Sequence, residues 1–483
     1  MLTRFVIALA LCALVNSQGA AQETDLQRIA DALDVSKTKT FQFTANGVMW
    51  AIGQNTSPAA PAPRYYVKSM VRQYDFTQGA MREELVRTQG EDPPRGGGGQ
   101  PLEGDARAVA VVSGDLAWNE VGKMAVPQYY LASGRAHEFT ISPHALVRTA
   151  FANNAAVAKK MIDGREMTVV SFTDQGKRRI VAYANDQNAI EKVESSFGHP
   201  VLGDMKVVTH YGPYRDFAGV KFPTKIIQYQ DGLPSLDVTV TAVRANPTVD
   251  IEVPANVRTT PTVVKSEKAA DGVWFIAGGS HNSVLIEMKD YLIVVEAPQG
   301  DARASAVIAE VKKLVPTKPI KYLVNTHHHF DHSSGLRAFA AEGATIVTHE
   351  VNRNYFERAA ANSWSLNPDN LAKSKKKLVM QTMGDNMVLT DGTRSVELYQ
   401  IVGNAHHDGL IMAYLRKEKL LIQADAFSPR GVPKTPNPYS VNLEANVRRL
   451  NLDVERILPI HEGIVPYGEL LKAIGKTPAP AKK

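Results

Sequence analysis

The chain has 483 residues, 44% apolar and 22% charged, with a formal net charge of +6 from 55 basic and 49 acidic side chains. At roughly 150 residues per domain this length holds two or three domains, and the composition excludes a mostly disordered or collagen-like chain. Arg4, Lys476, Lys482 and Lys483 carry much of the excess charge at the two ends, so the remainder is too dilute for a nucleic-acid footprint and no nucleic-acid partner is expected.

Residues 1–21 read as a secretory signal: Arg4, an apolar run from Phe5 to Val15, then Asn16 to Ala21, where small residues at Gly19 and Ala21 suit a cut after Ala21. About 11 apolar residues cannot span a bilayer that needs about 20. Nothing else in the chain is long and apolar enough, so a periplasmic or secreted protein without a transmembrane segment is expected. The single cysteine, Cys12, falls within the signal. The mature chain therefore has no disulfide and no thiolate metal ligand to propose.

From Thr24 to Leu33 the capping-box pair Thr24 and Gln27, with Leu26, Ile29, Ala30 and Leu33 on one face, predicts a helix. Alternation then takes over: Phe41, Phe43 and Ala45; Met167, Val169 and Ser171; Leu236, Val238, Val240 and Ala242, with turns such as Asp231-Gly232. This is antiparallel β-structure, interrupted by a predicted helical stretch from Pro143 to Met161. Two Pro/Ala- and Gly-rich breaks, Asn55 to Arg64 and Glu91 to Pro101, read as long surface loops. The run from Gly198 to Tyr211, followed by Tyr214 to Pro223, resembles the half-barrel of bacterial lipoprotein carriers. That resemblance implies a concave sheet that either holds a hydrophobic ligand or has a packed interior supporting a second domain. Residues 22–262 are assigned to this β-rich domain.

The segment Pro247 to Asp271 lacks sustained periodicity, which places a boundary near residue 263. Beyond it, strands at Ser283 to Glu287 and Tyr291 to Val295 flank a Lys289-Asp290 turn. A helix follows, with Ala304, Val307, Ile308, Val311 and Leu314 on one face, and then a strand from Ile320 to Val324. Helices and strands alternate to Ile474, which assigns 263–475 to a second domain and leaves 476–483 as a disordered tail.

Nine of the thirteen histidines lie from His281 onward. The densest group, Asn325-Thr-His-His-His-Phe-Asp-His332, puts His327, His329, Asp331 and His332 in a loop leaving a strand. Imidazole and carboxylate donors suit zinc, iron or manganese, and four in one loop exceed what a single ion uses easily. A run of solvated loop histidines would not account for this ordered spacing.

His-x-His-x-Asp-His after a strand resembles the metallo-β-lactamase superfamily, and the resemblance continues through the domain: Gly403-Asn-Ala-His-His-Asp-Gly409, Leu421-Ile-Gln-Ala-Asp425 and Leu458-Pro-Ile-His461. It implies an αββα sandwich, so the expected fold is a two-domain α+β chain. It also implies two zinc ions, with iron or manganese as alternatives: His327, His329 and His406 on one, Asp331, His332 and His461 on the other, and Asp425 bridging. His328 is expected to face away from the metals. His407, where the family often has Thr or Ser, is expected to contact substrate or the ligands from outside. His349 is expected to begin a helix, and His281 lies on a turn that family members bring near the cleft. Asp408 and Gly409 read as turn residues, and Lys373 with Lys375 to Lys377 as a solvated face.

The implied reaction is hydrolysis of a small molecule by a hydroxide held on two metals, with Asp331 as the catalytic carboxylate that orients it and relays its proton. True β-lactamases of the superfamily usually carry Cys or Ser where Asp425 stands, and export argues against glutathione thioesters and RNA, leaving an ester, lactone or amide. The alternatives are a β-lactamase, a mononuclear iron dioxygenase of sulfur compounds, and a lipid- or partner-binding protein. Every candidate ligand lies beyond residue 263, so residues 263–475 are expected to fold and bind metal alone.

Overall fold

A computed structural model describes residues 24–259 and 262–477; the signal expected at 1–21 lies outside them, as do residues 478–483 of the tail. Lys476, assigned to that tail from sequence, is tied to Glu444 by an ion pair of 2.6 Å. No helix among the described residues is long and apolar enough to cross a membrane.

The chain folds as a two-domain α+β structure. Its N-terminal half is built on a sheet of 13 antiparallel strands, with Thr40–Trp50 and Leu233–Ala245 paired at its middle, and a separate two-stranded ribbon of Tyr214–Asp216 and Lys221–Pro223. Asp231 and Gly232, with φ of 46° and 81°, make the tight hairpin that the sequence signals. Phe41, Phe43 and Ala45 are buried as alternation requires. Across from them Leu236, Val238 and Val240 are buried but Ala242 is exposed. The correction has a local cause: the register shifts between Thr44 and Ala45, and a bulge turns every residue beyond it by one side-chain position.

The predicted helix from Pro143 to Met161 is shorter, Pro143–Ala152, and a second helix, Ala132–Ile141, precedes it. Asn154, at φ 49°, reverses the chain, and Ala156–Ile162 continues as the edge strand. The Ala132–Ile141 helix packs on both Ala106–Ser113 and Ile190–His199, which are separated in the sheet by six strands, so the sheet curls around it. Phe41, Phe43, Tyr74 and Phe222 fill the concave face, and the cavity left there measures 10 Å³, about the room of one water.

The C-terminal half is a sandwich of a seven-stranded and a six-stranded sheet. One apolar core, including Val284, Ile293, Leu398 and Ile411, lies between the sheets. A second packs Asp301–Leu314 and Leu336–Glu342 onto one outer face, and a third packs Pro438–Arg449 and Tyr467–Ala473 onto the other. The layers are thus α, β, β, α. Ile320–Val324 runs parallel to Leu292–Val295 and Thr345–His349, and Leu420–Gln423 runs parallel to Arg456–Pro459. The chain that leaves these strands at their C-terminal ends meets at one rim of the sandwich.

Candidate metal centre

That rim is where the sequence-predicted residues converge. His327, His329 and His332 follow strand Ile320–Val324, Asp425 follows Leu420–Gln423, and His461 follows Arg456–Pro459. His406 comes from the loop between Ser395–Gln400 and Ile411–Leu415, held against the first loop by the bond from Ile411 N to Thr326 O at 2.9 Å.

The Asp425 carboxylate is the hub. Its Oδ2 lies 2.9 Å from His406 Nε2, 3.1 Å from His332 Nε2 and 3.5 Å from His327 Nε2, while Oδ1 lies 2.7 Å from His461 Nε2. His327, His329, His406 and Asp425 offer donor atoms all within 4.8 Å of one another, and so do His281, His332 and His461. His329 Nδ1 is buried without a hydrogen-bond partner, and His332 Nε2 and Asp425 Oδ1, though at ion-pair distance from Asp425 Oδ2 and His461 Nε2, make no well-aligned hydrogen bond. A buried imidazole lone pair left without a partner beside a carboxylate and further imidazoles costs free energy unless a cation receives it, so this donor set fits metal ions.

Hydrogen bonds on the far side of each ring decide which nitrogen faces inward. His461 Nδ1 donates to Ser280 O at 3.1 Å. His332 Nδ1 is 3.1 Å from Glu296 Oε2, and His327 Nδ1 is 2.9 Å from Thr326 Oγ1, which in turn donates to Glu296. One fully buried carboxylate thus orients two candidate ligands, directly and through a hydroxyl. Glu296, His327 and His332 themselves lie within 4.8 Å, but both Glu296 oxygens already accept bonds from residues 325, 326 and 332, so it acts on the ligands from behind. Glu296 has a φ of 75°, strain of a kind that persists where the surroundings over-determine it. Sequence reasoning passed over Glu296; an acidic residue directly after the all-apolar strand Leu292–Val295 was the available signal.

Protonation follows from the same contacts. Burial, reinforced by neighbouring imidazoles, pushes His327 and His329 well below the ordinary histidine range, so both are neutral. Burial would also raise Asp331 and Asp425, but His332 and the other facing histidines outweigh it and hold both well below the usual carboxylate range. His332 is the exception. Burial pulls it down, yet Asp425 and Asp331 together hold it well above its ordinary value, so an incoming cation must displace its proton.

Asp331 is partly exposed to the cleft, with Oδ2 3.3 Å from His281 Nε2 and 3.8 Å from His332 Nε2. His281, whose ring centroid is 4.1 Å from that of His461, is pushed by burial down to about 4 against the pull of Asp331. His328 is buried and directed away from Asp425: its Nδ1 is 2.7 Å from His407 Nε2, and His407 Nδ1 accepts from Gly409 N at 2.9 Å. His407 therefore braces the histidine loop. His349 ends strand Thr345–His349, where its ring caps a short 3₁₀ turn by accepting from Val351 N. The residues from Lys373 to Lys377 are exposed.

Contrary to the sequence reading, the two proline- and glycine-rich breaks of the N-terminal half are not free surface loops. They reach into this rim. Gly96 N donates to Ala405 O at 2.8 Å, Asp408 N donates to Thr56 O at 2.6 Å, and the Tyr439 hydroxyl donates to Gly96 O at 3.1 Å. Together with the loop after Asp425 they wall a cleft of 1650 Å³, lined by Arg87, Leu102, Phe330, Asp331, His406, Phe427 and Arg430 among others. The alternation and composition of these breaks carry no trace of that docking.

The fold is an αββα sandwich whose rim gathers His and Asp side chains that could hold metal ions. Residues 276–461 match the model of the Metallo-beta-lactamase superfamily, whose members are mostly hydrolytic enzymes. Among curated proteins, the alpha subunit of 2,4-dinitroanisole O-demethylase from Nocardioides sp. (strain JS1661) is 25% identical over 198 residues, 41% of this chain and 57% of that protein. The linear primary-alkylsulfatase of Pseudomonas sp. (strain ATCC 19151) is 40% identical over 58 residues, 12% of this chain and 11% of that one. The alignments thus span less than two thirds of either relative. A metallo-beta-lactamase structure from Pontibacter korlensis aligns with a TM-score of 0.34 at 16% identity, covering 44% of this chain and 97% of that one.

Proposed function

We propose that the protein is an exported, metal-dependent hydrolase of an ester, lactone or amide. The observation that carries this reading is the Asp425 carboxylate among four imidazole nitrogens, with the buried Nδ1 of His329 left without a partner beside them. His327, His329 and His406 would hold one ion, Asp331, His332 and His461 the other, with Asp425 between them. The all-nitrogen and oxygen donor set suits zinc, and accommodates iron or manganese. Two such ions, when bound, supply Lewis acidity and lower the pKa of water to about 7. Asp331, ionised and open to the cleft, receives a proton there and returns it to the leaving group.

The cleft mixes apolar walls at Phe330, Phe427 and Val432 with cationic side chains, which suits a small molecule with an apolar body. A sulfate ester is a second reading. Arg87 lines the cleft, where it donates to Gly98 O at 2.6 Å and lies 4.2 Å over the Tyr65 ring, and it forms no ion pair among the described residues, so its charge is not neutralised by a carboxylate; the similarity to an alkylsulfatase points the same way. Metal quantification on purified protein, combined with chromogenic ester, lactone, sulfate-ester and cephalosporin substrates, tests both. One iron with oxygen uptake, or no metal, would refute the hydrolase. Export is tested by mass spectrometry of periplasmic or secreted material: the mature chain should begin near Gln22, and an intact Met1 would refute it.

A further inference from the structure

Two contacts of the inserted loops differ from the backbone docking bonds, because they end on the candidate ligands themselves. Asn55 O is 2.8 Å from His329 Nε2. A carbonyl only accepts, so Nε2 carries the proton and Nδ1, the buried atom with no partner, is left as a lone pair. Gln54 Nε2 donates to Asp331 Oδ1 at 2.8 Å, and its Oε1 accepts from Gly98 N at 2.7 Å, so the amide cannot turn without losing both bonds. The loop is braced behind these contacts: Asn55 Oδ1 accepts from Gly53 N, its Nδ2 donates to Ala60 O, and Gly97 N donates to Gln54 O.

Gly97 closes the arrangement. A Cβ at that position would lie 2.8 Å from His329 Nδ1 and 2.1 Å from Gln54 Oε1. Only glycine lets the second loop lie against the imidazole edge without filling the space in front of Nδ1. Simple interdomain adhesion needs none of this, since Gly96, Thr56 and Tyr439 already join the domains through groups that are not candidate ligands.

We propose that the N-terminal domain is part of the metal-holding apparatus, with Gln54 as the positioning residue for Asp331 and the Asn55 carbonyl fixing the tautomer of His329. This rests on the dinuclear reading of the site. The domain does more than wall the cleft: it sets the direction of one ligand on each proposed ion. A C-terminal domain deprived of it would keep the sequence motif and lose the orientation of two members.

The test loads cobalt(II) into the full-length, chelator-stripped protein and into Gln54→Ala, Asn55→Ala and Gly97→Val. It reads affinity by chelator competition, the visible d–d spectrum, and melting of the metal-free form. Gln54→Ala should bind at least one cobalt equivalent about 10–100-fold more weakly, as loss of an outer hydrogen bond to a ligand does, with a changed spectrum and metal-free melting close to parental. Asn55→Ala keeps the carbonyl but removes the side-chain bonds to Gly53 N and Ala60 O that hold it in place, so it should change the spectrum with a smaller loss of affinity. Gly97→Val should perturb the spectrum most. Parental affinity and spectrum in all three variants would overturn the proposal, as would weakened binding that merely tracks lost metal-free stability. A parental protein that binds no cobalt would instead refute the metal-centre reading, and this proposal with it.

Discussion

Glu296→Gln probes the support of the metal centre without touching a proposed ligand. The carboxylate is fully buried. Its Oε2 accepts from Thr326 Oγ1 and lies 3.1 Å from His332 Nδ1, while Oε1 accepts from Asn325 Nδ2 at 3.3 Å and Thr326 N at 3.4 Å. A glutamine has the same shape but one acceptor oxygen, so whichever way its amide turns, two donors face an NH₂ group. At about 1–3 kcal/mol for each buried donor left unmatched, and with the Thr326 hydroxyl able to rotate, the metal-free domain should lose about 2–4 kcal/mol. Metal affinity should fall about 10–100-fold, equivalent to about 1.4–2.7 kcal/mol, because either His332 and Thr326 Oγ1 lose their acceptor or Asn325 and Thr326 N, which hold the ligand loop, do, and in both cases the neutral amide accepts more weakly than the carboxylate. Zinc competition against a chromophoric chelator and urea unfolding of the stripped protein measure the two quantities separately. If Glu296→Gln kept parental affinity for both ions, the idea that one carboxylate orients two ligands would be refuted.

Three further outcomes follow from the geometry. Asp425→Ala should lose metal together with activity, since its oxygens face four imidazole nitrogens, whereas Asp331→Asn should keep at least one ion while turnover drops by about 10²–10⁴; metal content and turnover measured side by side separate the two roles. His144, buried against Phe41 at a ring distance of 4.6 Å, is pushed by burial down to about 4. Its folded value is below the unfolded one of about 6.5, so its penalty is absent above pH 6.5 and grows as the pH falls toward 4, to at most about 3 kcal/mol. His144→Phe should flatten that decline in urea midpoints between pH 7 and 4.5, and an unchanged slope would count against it. Gly53→Ala, at φ 76° with a Cβ 2.3 Å from the Phe330 ring, should destabilise the domain junction by about 1–3 kcal/mol, read by thermal melting.

Much of the C-terminal domain was legible in the sequence because its information is local. An apolar strand followed by histidines and aspartate at short spacing needs few neighbours to be read, and Ile320–Val324 with His327, His329, Asp331 and His332 is such a segment. His406, Asp425 and His461 were implied by the resemblance of their flanking segments to the metallo-β-lactamase superfamily, and they do converge. The alternating strands of the N-terminal half were legible as well, down to the Asp231-Gly232 hairpin, because a period of two writes itself on each strand separately.

What sequence could not decide is everything set by contacts between distant segments. The bulge at Thr44 that exposes Ala242 is a property of two paired strands, not of either one. Glu296 reads as an ordinary acid until its buried bonds to Thr326 and His332 are drawn. The loops at 51–63 and 90–105, which contain the two proline- and glycine-rich breaks, are the sharpest case. Their prolines and glycines are the residues that flexible surface turns use, and composition alone cannot separate a loop that is free from one that is docked. Gln54 and Asp331 are 277 positions apart and Asn55 and His329 are 274 apart. Backbone carbonyls such as Asn55 O have no residue-specific signature, so only the tertiary arrangement of the two domains brings them to the metal centre.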